Sequence, residues 1–191
     1  MPESARHYFF YVLAIFCLMG SAPVFAQNID EAITSEMSDY KNRTIHPNLT
    51  AKVIDATPDQ ELVQVIKDNL LSKMKKSMNN EDQIFSTLSA PRQAIYTIWQ
   101  VEAEVNNGGF KQFFSSPASK FAVHAQKAFE SIKAPGFAKL VAEVIEKEKN
   151  GQISDQYTSF NDAFFALYDH EDLQKLKITY IRHNKNEFID N

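Results

Sequence analysis

Cysteine is almost missing from this chain. Cys17 is the only one, and it lies inside the first apolar run. Beyond that run, disulfides, thiolate nucleophiles and cysteine-based metal sites are excluded. Stability then rests on the hydrophobic core alone. Glycine is also scarce, at five residues, and no GxGxxG or Walker phosphate loop is present. HExxH and GxSxG are absent too, which removes the common zinc-protease and serine-hydrolase signatures. No strand-like series and no internal repeat is visible. Neither sign of charge dominates: 20 Lys and Arg stand against 24 Asp and Glu, for a net charge of −4. That balance describes neither a nucleic-acid binder nor a strong polyanion.

What is present begins with an address. Arg6 and His7 precede the apolar run Tyr8 to Met19, and Gly20, Ser21 and Pro23 break it. Val24, Phe25 and Ala26 then have the small-x-small character of a cleavage site. The stretch reads as a secretory signal peptide cut after Ala26. It is shorter than the roughly 20 apolar residues that span a bilayer; the alternative is an uncleaved N-terminal anchor. Ala14, Ile15 and Phe16 lack the small residues expected beside a lipidated cysteine. Cleavage would remove Glu3 and Arg6 together and leave the net charge at −4. The expected organisation is a signal over 1–26, an N-terminal helix and linker over 27–50, and one domain over 51–191. About 165 residues remain, enough for one domain to bury about 70% of its unfolded surface.

Helical periodicity runs through the mature chain. Ile29, Ile33, Met37 and Tyr40 predict a helix over Gln27–Arg43, with Asn28 and Glu31 as its cap. Residues 44–56 carry Pro47 and read as a loop with a short ordered piece near 51–54. Asn42-Arg43-Thr44 and Asn48-Leu49-Thr50 match the short glycosylation acceptor pattern. Thr57 is expected to cap the next helix, with Pro58 at its first position and Gln60 closing a capping box. Leu62, Ile66, Leu70 and Met74 form its apolar face. Lys73, Lys75 and Lys76 read as favourable charge at its C-terminus. Glu81–Leu88 is a short helix turning Ile84, Phe85 and Leu88 inward. Ser89 is expected to cap a helix carrying Ile95, Ile98, Trp99, Glu102 and Val105 on one stripe. Phe121, Ala125, Ala128 and Ile132 mark another helix, and Phe137, Leu140, Val141, Val144 and Ile145 the next. Ser154 and Asp169 are the expected caps of the last two. The fold class is all-α: a single compact domain of about seven helices with short loops.

The stretch Val101–Phe114 holds most of the candidate chemistry. Glu102 lies at the edge of the apolar stripe, and burial there would require a partner. Glu104 falls on another face, near Tyr96 and Gln100. Two residues apart on a helix, these carboxylates point away from each other and make a poor acid/base pair. Asn106, Asn107, Gly108 and Gly109 predict a helix stop. Phe110, Phe113 and Phe114 then form an aromatic face at i, i+3, i+4. Glu104, Asn106, Asn107 and Gln112 are expected to hold this reversal through bonds to neighbouring backbone. The remaining candidate groups are His124, His170 and His183. His124 lies beside an apolar stripe and is expected to be packed and hydrogen-bonded. His183 and Glu187 have the i, i+4 spacing of two metal ligands, where zinc catalysis typically uses three.

EVNNGGFKQFF, Glu104 to Phe114, resembles the signature of a bacterial domain family of unknown function. Its best-known type is the C-terminal domain of the Neisseria DNA-mimic protein. Val53–Leu70, Leu88–Glu104 and Phe164–Phe188 resemble flanking parts of that family. Glu104, Val105, Asn107, Gly108, Gly109, Phe110, Gln112 and Phe113 carry the match, in a structural role. The resemblance implies an all-α fold and non-enzymatic binding of a DNA-binding regulator through acidic surface. The chain departs from that type in its modest charge and in its signal peptide. Three readings follow. The first is an exported protein, without cofactor or metal, that binds a macromolecular partner, itself a protein, as an inhibitor, immunity-like or adaptor protein. It does not bind nucleic acid directly and has no membrane anchor once the signal is cut. The second is a small cell-envelope enzyme or ligand-binding domain. The third is a cytoplasmic DNA mimic.

Overall fold

The structure, a computed structural model, describes residue 38 and residues 41–75, 80–153 and 156–190. The signal, most of the expected first helix, Lys76 and the Ser154 cap lie outside the described residues. Two units are separate, Met1–Thr44 and Ile45–Asn191. In the first, Asn42 Nδ2 donates to Ser38 Oγ at 3.2 Å, one helical turn away.

The second unit is all-α, as its periodicity predicts. Eight α-helices are found among the described residues, and no strand. They are α1 (Ala51–Ala56), α2 (Asp59–Lys75), α3 (Glu81–Thr87), α4 (Ala90–Ser115), α5 (Ala122–Ser131), α6 (Pro135–Lys149), α7 (Tyr157–Leu167) and α8 (Leu173–His183). Short 3-10 helices, Pro117–Phe121 and Lys185–Phe188, precede α5 and follow α8. Helix α4 is the axis and touches α2, α5, α7 and α8. Its Ile95, Ile98, Val101 and Val105 are buried against Leu62, Ile66 and Leu70 of α2 and the aromatic side chains opposite.

Aromatic rings join the later helices. Phe164 of α7 meets Phe110 edge-on at 5.5 Å and Phe137 of α6 at 5.0 Å. Phe137 then stacks on Phe129 of α5 at 5.5 Å. All four rings are at most 1% exposed. Each such burial contributes about 1.5–3 kcal/mol, and the edge-on pairs add to it.

Several caps differ from the sequence reading. Thr57 turns its hydroxyl back to the Val53 carbonyl, 2.7 Å away, and closes α1 instead of opening α2. Ser89 precedes α4, yet its hydroxyl donates to the Glu187 carbonyl at 2.9 Å. Asp172, not Asp169, caps α8, accepting from the Lys175 N–H at 2.9 Å. Phe188 belongs to the 3-10 helix beyond α8. Short hydroxyl and carboxylate side chains can bond to several nearby backbone groups, so residue type alone does not fix which one they cap.

The end of the unit is tied to its beginning. Arg182 donates to the carbonyls of Ile54 (2.5 Å) and Thr57 (2.7 Å) and to Asp59. Lys185 pairs with Asp55. Asp190 receives Lys73 at 3.0 Å, Arg92 at 2.7 Å, the Leu49 N–H at 2.8 Å and Asn69 at 3.0 Å. Burial alone would push the Asp190 carboxyl up. The Leu49 N–H, Lys73, Arg92 and Asn69 override it and hold the group at about 2, below the ordinary 3.8. A depressed carboxyl contributes stability that is present above the ordinary value and lost as pH falls toward 2. The contribution is about 1–2 kcal/mol, trimmed for solvent screening at the more exposed Lys73. Acid titration of urea stability should therefore show a loss between pH 4 and 2 that is missing in Asp190→Asn.

Candidate functional site

The signature stretch sits where α4 breaks. Gly108 and Gly109 leave helical geometry, and Gly109 has φ 76 and ψ −175. That conformation is open essentially to glycine alone. The chain then resumes a helix whose first N–H groups need partners. Asn161, on α7, supplies one: its Oδ1 accepts from the Phe110 N–H at 2.9 Å. The same amide lies so close that a Cβ on Gly109 would stand 2.2 Å from its Nδ2. A Cβ on Gly108 would meet the Gln112 Cβ at 2.9 Å. Both glycines are required by close approach, and Gly109 by backbone conformation as well.

Glu104 and Gln112 bridge the break, with Gln112 Nε2 donating to Glu104 Oε2 at 3.1 Å. Their bond is side chain to side chain, not to backbone as the sequence suggested. Asn106 pairs with Tyr168, and Asn107 is exposed. Val105, Phe110 and Phe113 are each 1% exposed. The signature is thus one helix stop, one amide cap and an aromatic anchor.

Behind it lies a polar network that sequence reasoning found only in part. Glu102 is drawn into the unit, its side chain 15% exposed. Lys177 of α8 donates to its Oε2 at 2.7 Å, and Tyr168 to its Oε1 at 3.2 Å. Burial, reinforced by the Glu102 charge, pushes the Tyr168 phenol far up. Tyr168 therefore remains a hydrogen-bond donor at neutral pH and is a poor proton acceptor. With both oxygens engaged, Glu102 is a structural ion partner in this geometry and not a poised base. Glu104, occupied at the surface, does not meet it.

The histidines lie on separate elements. His124 is exposed on α5, its ring 5.1 Å from that of Phe85. It borders a depression of about 420 Å³ lined by Asp82, Phe85, Ser86, Gln93, Lys120 and Phe121. It is thus in tilted ring contact with Phe85 and solvated, instead of packed within the core. His170 is exposed in the turn before α8. His183 sits at the end of α8, its Nδ1 2.9 Å from the Thr179 carbonyl. Glu187 follows in the 3-10 helix, so no continuous helix carries the i, i+4 pair. No group of three His, Cys, Asp or Glu side chains among the described residues is arranged to hold a metal.

Charge separates more clearly in space than in sequence. Asp55, Asp59, Glu81, Asp82, Glu102 and Asp190 all form salt bridges. Between Lys149 and Lys175, by contrast, there is no Lys or Arg. Within that span Asp162, Asp169 and Asp172 are exposed along α7 and the following turn. This edge adjoins the signature, because Asn161 precedes Asp162 and caps the broken helix.

The DMP19-like protein family matches residues 86–184, just over half of the chain. The chain belongs to the DMP19-like family. The match takes in the break, the Asn161 cap, the Glu102–Lys177 pair and the acidic edge. It stops before Asp190 and begins after α1 and α2. Neither a curated protein nor a solved structure matches the chain.

Proposed function

We propose that this DMP19-like protein acts by binding a macromolecular partner, a protein with a cationic surface, through the acidic edge of α7. The observation that carries this reading is the base-free span with Asp162, Asp169 and Asp172 exposed. Six acids elsewhere in the unit pair with a lysine or arginine, and no such pair is found for Asp162, Asp169 or Asp172 among the described residues. Such an edge steers a basic partner and sets the register of docking. The family is not a known enzyme family, and the candidate catalytic groups stand apart or are engaged in structural bonds. The role is that of an inhibitor, immunity-like or adaptor protein, and DNA mimicry is its limiting form.

Capture of partners from cell-envelope extract tests the idea. Asp162→Lys with Asp169→Lys should weaken the captured complex at least tenfold and flatten its salt dependence. Equal capture by wild type and the double variant would remove the edge from consideration. Both positions are exposed, so folding should be unaffected within about 0.5 kcal/mol.

The proposed place of action is outside the cytoplasm. The basic start, the short apolar run and Ala26 support it, and no helix among the described residues is long and apolar enough to cross a membrane. Mass spectrometry of the protein from fractionated cells should find a chain starting at Gln27 in the exported fraction. A full-length chain confined to the cytosol would rule this out.

A further inference from the structure

The donors around Asp190 have the properties of a binding site. Lys73 and Asn69 come from α2, Arg92 from α4, and the fourth donor is the Leu49 N–H. Oδ1 of Asp190 faces Lys73 and Arg92, and Oδ2 faces Asn69 and Leu49. Two cationic groups thus meet one carboxylate. Arg92 is 7% exposed and Asn69 0%.

Two of the donors are fixed by hydrogen bonds that do not involve the Asp190 side chain, and Leu49 is held by burial. Asn69 Nδ2 also donates to the carbonyls of His46 at 3.1 Å and Pro47 at 3.0 Å. Arg92 Nε donates to the Glu187 carbonyl at 2.9 Å, shared with the Ser89 hydroxyl. Leu49 is itself 1% exposed. The cradle therefore keeps its shape when the carboxylate is taken away, which is what preorganised recognition requires. Its occupant is held by less. Beyond its side chain, Asp190 is held among the described residues by its N–H, which donates to the Leu49 carbonyl at 2.8 Å.

We propose that Lys73, Arg92, Asn69 and the Leu49 N–H form a carboxylate-binding site, which the chain fills with its own Asp190. A small aliphatic carboxylate enters when that side chain is absent. The arrangement selects a planar anion with two acceptor oxygens over a spherical one, because each oxygen faces its own pair of donors.

The test is thermal melting of full-length Asp190→Ala in sodium acetate and in sodium chloride, at equal ionic strength and near neutral pH. Acetate should raise the Tm of the variant saturably, by about 2–6 °C over chloride. Wild type, already filled, should show no such difference. Asp190→Ala combined with Arg92→Gln should lose the response. Equal effects of acetate and chloride on Asp190→Ala, or an acetate response in wild type as large as the variant's, would overturn the proposal. Should Asp190→Ala fail to fold unaided, refolding yield becomes the readout. Acetate-dependent recovery supports the site, and equal recovery in the two salts refutes it.

Discussion

Gly109→Ala is expected to cost about 3–5 kcal/mol, measured by urea unfolding. Two effects add. The φ of 76 with ψ −175 lies where a side chain costs about 1–3 kcal/mol. The new Cβ would also stand 2.2 Å from Asn161 Nδ2 and must displace it. Displacement strips the Phe110 N–H of its acceptor, and a buried donor left alone costs about 1–3 kcal/mol. Asn161→Ala separates the two. It should cost about 1–2 kcal/mol alone, the lost cap. Gly109→Ala placed on top of it should then cost only the backbone share. A Gly109→Ala loss under 1 kcal/mol would mean that the break is not built as described.

Lys177→Met should cost about as much, about 3–5 kcal/mol, because it leaves Glu102 charged, buried and unpaired. Glu102→Gln added to Lys177→Met removes the charge while keeping an acceptor for Tyr168. It should restore most of the loss at neutral pH. If the double variant is no better than Lys177→Met, charge burial is not the cause.

Sequence reached the helices and the break but not what holds them. Stripes such as Leu62, Ile66 and Leu70 are local, and the 3.6-residue period exposes them directly. Gly108 and Gly109 were equally plain as a stop, since few other residues close a helix. Asn161 was not, although it lies one position after Phe160 and three before Phe164, a polar residue beside an apolar face. Its partner is 51 residues away. Glu102 announced that burial would require a partner, yet nothing local pointed to Lys177, 75 residues on. Lys177 itself sits among Leu173, Tyr180 and Ile181, and a lysine in an apolar stripe was the available signal. The acidic edge was legible in part. The stretch between Lys149 and Lys175 holds no Lys or Arg and is plain in the sequence, but that Asp162, Asp169 and Asp172 lie exposed beside the broken helix is set by the fold.

The closure between Leu49 and Asp190 also has a consequence in time. Leu49 waits for a partner 141 residues later, and the carbonyls of Ile54 and Thr57 wait for Arg182, more than 120 residues on. Contacts so distant incur their loop entropy before they return any stability, which slows folding. Synthesis at about 5–20 residues per second leaves a nascent chain without this seal for about 7–28 s. During that interval α1 and α2 exist without the residues that lock them, and whatever machinery handles the emerging chain meets it unclosed.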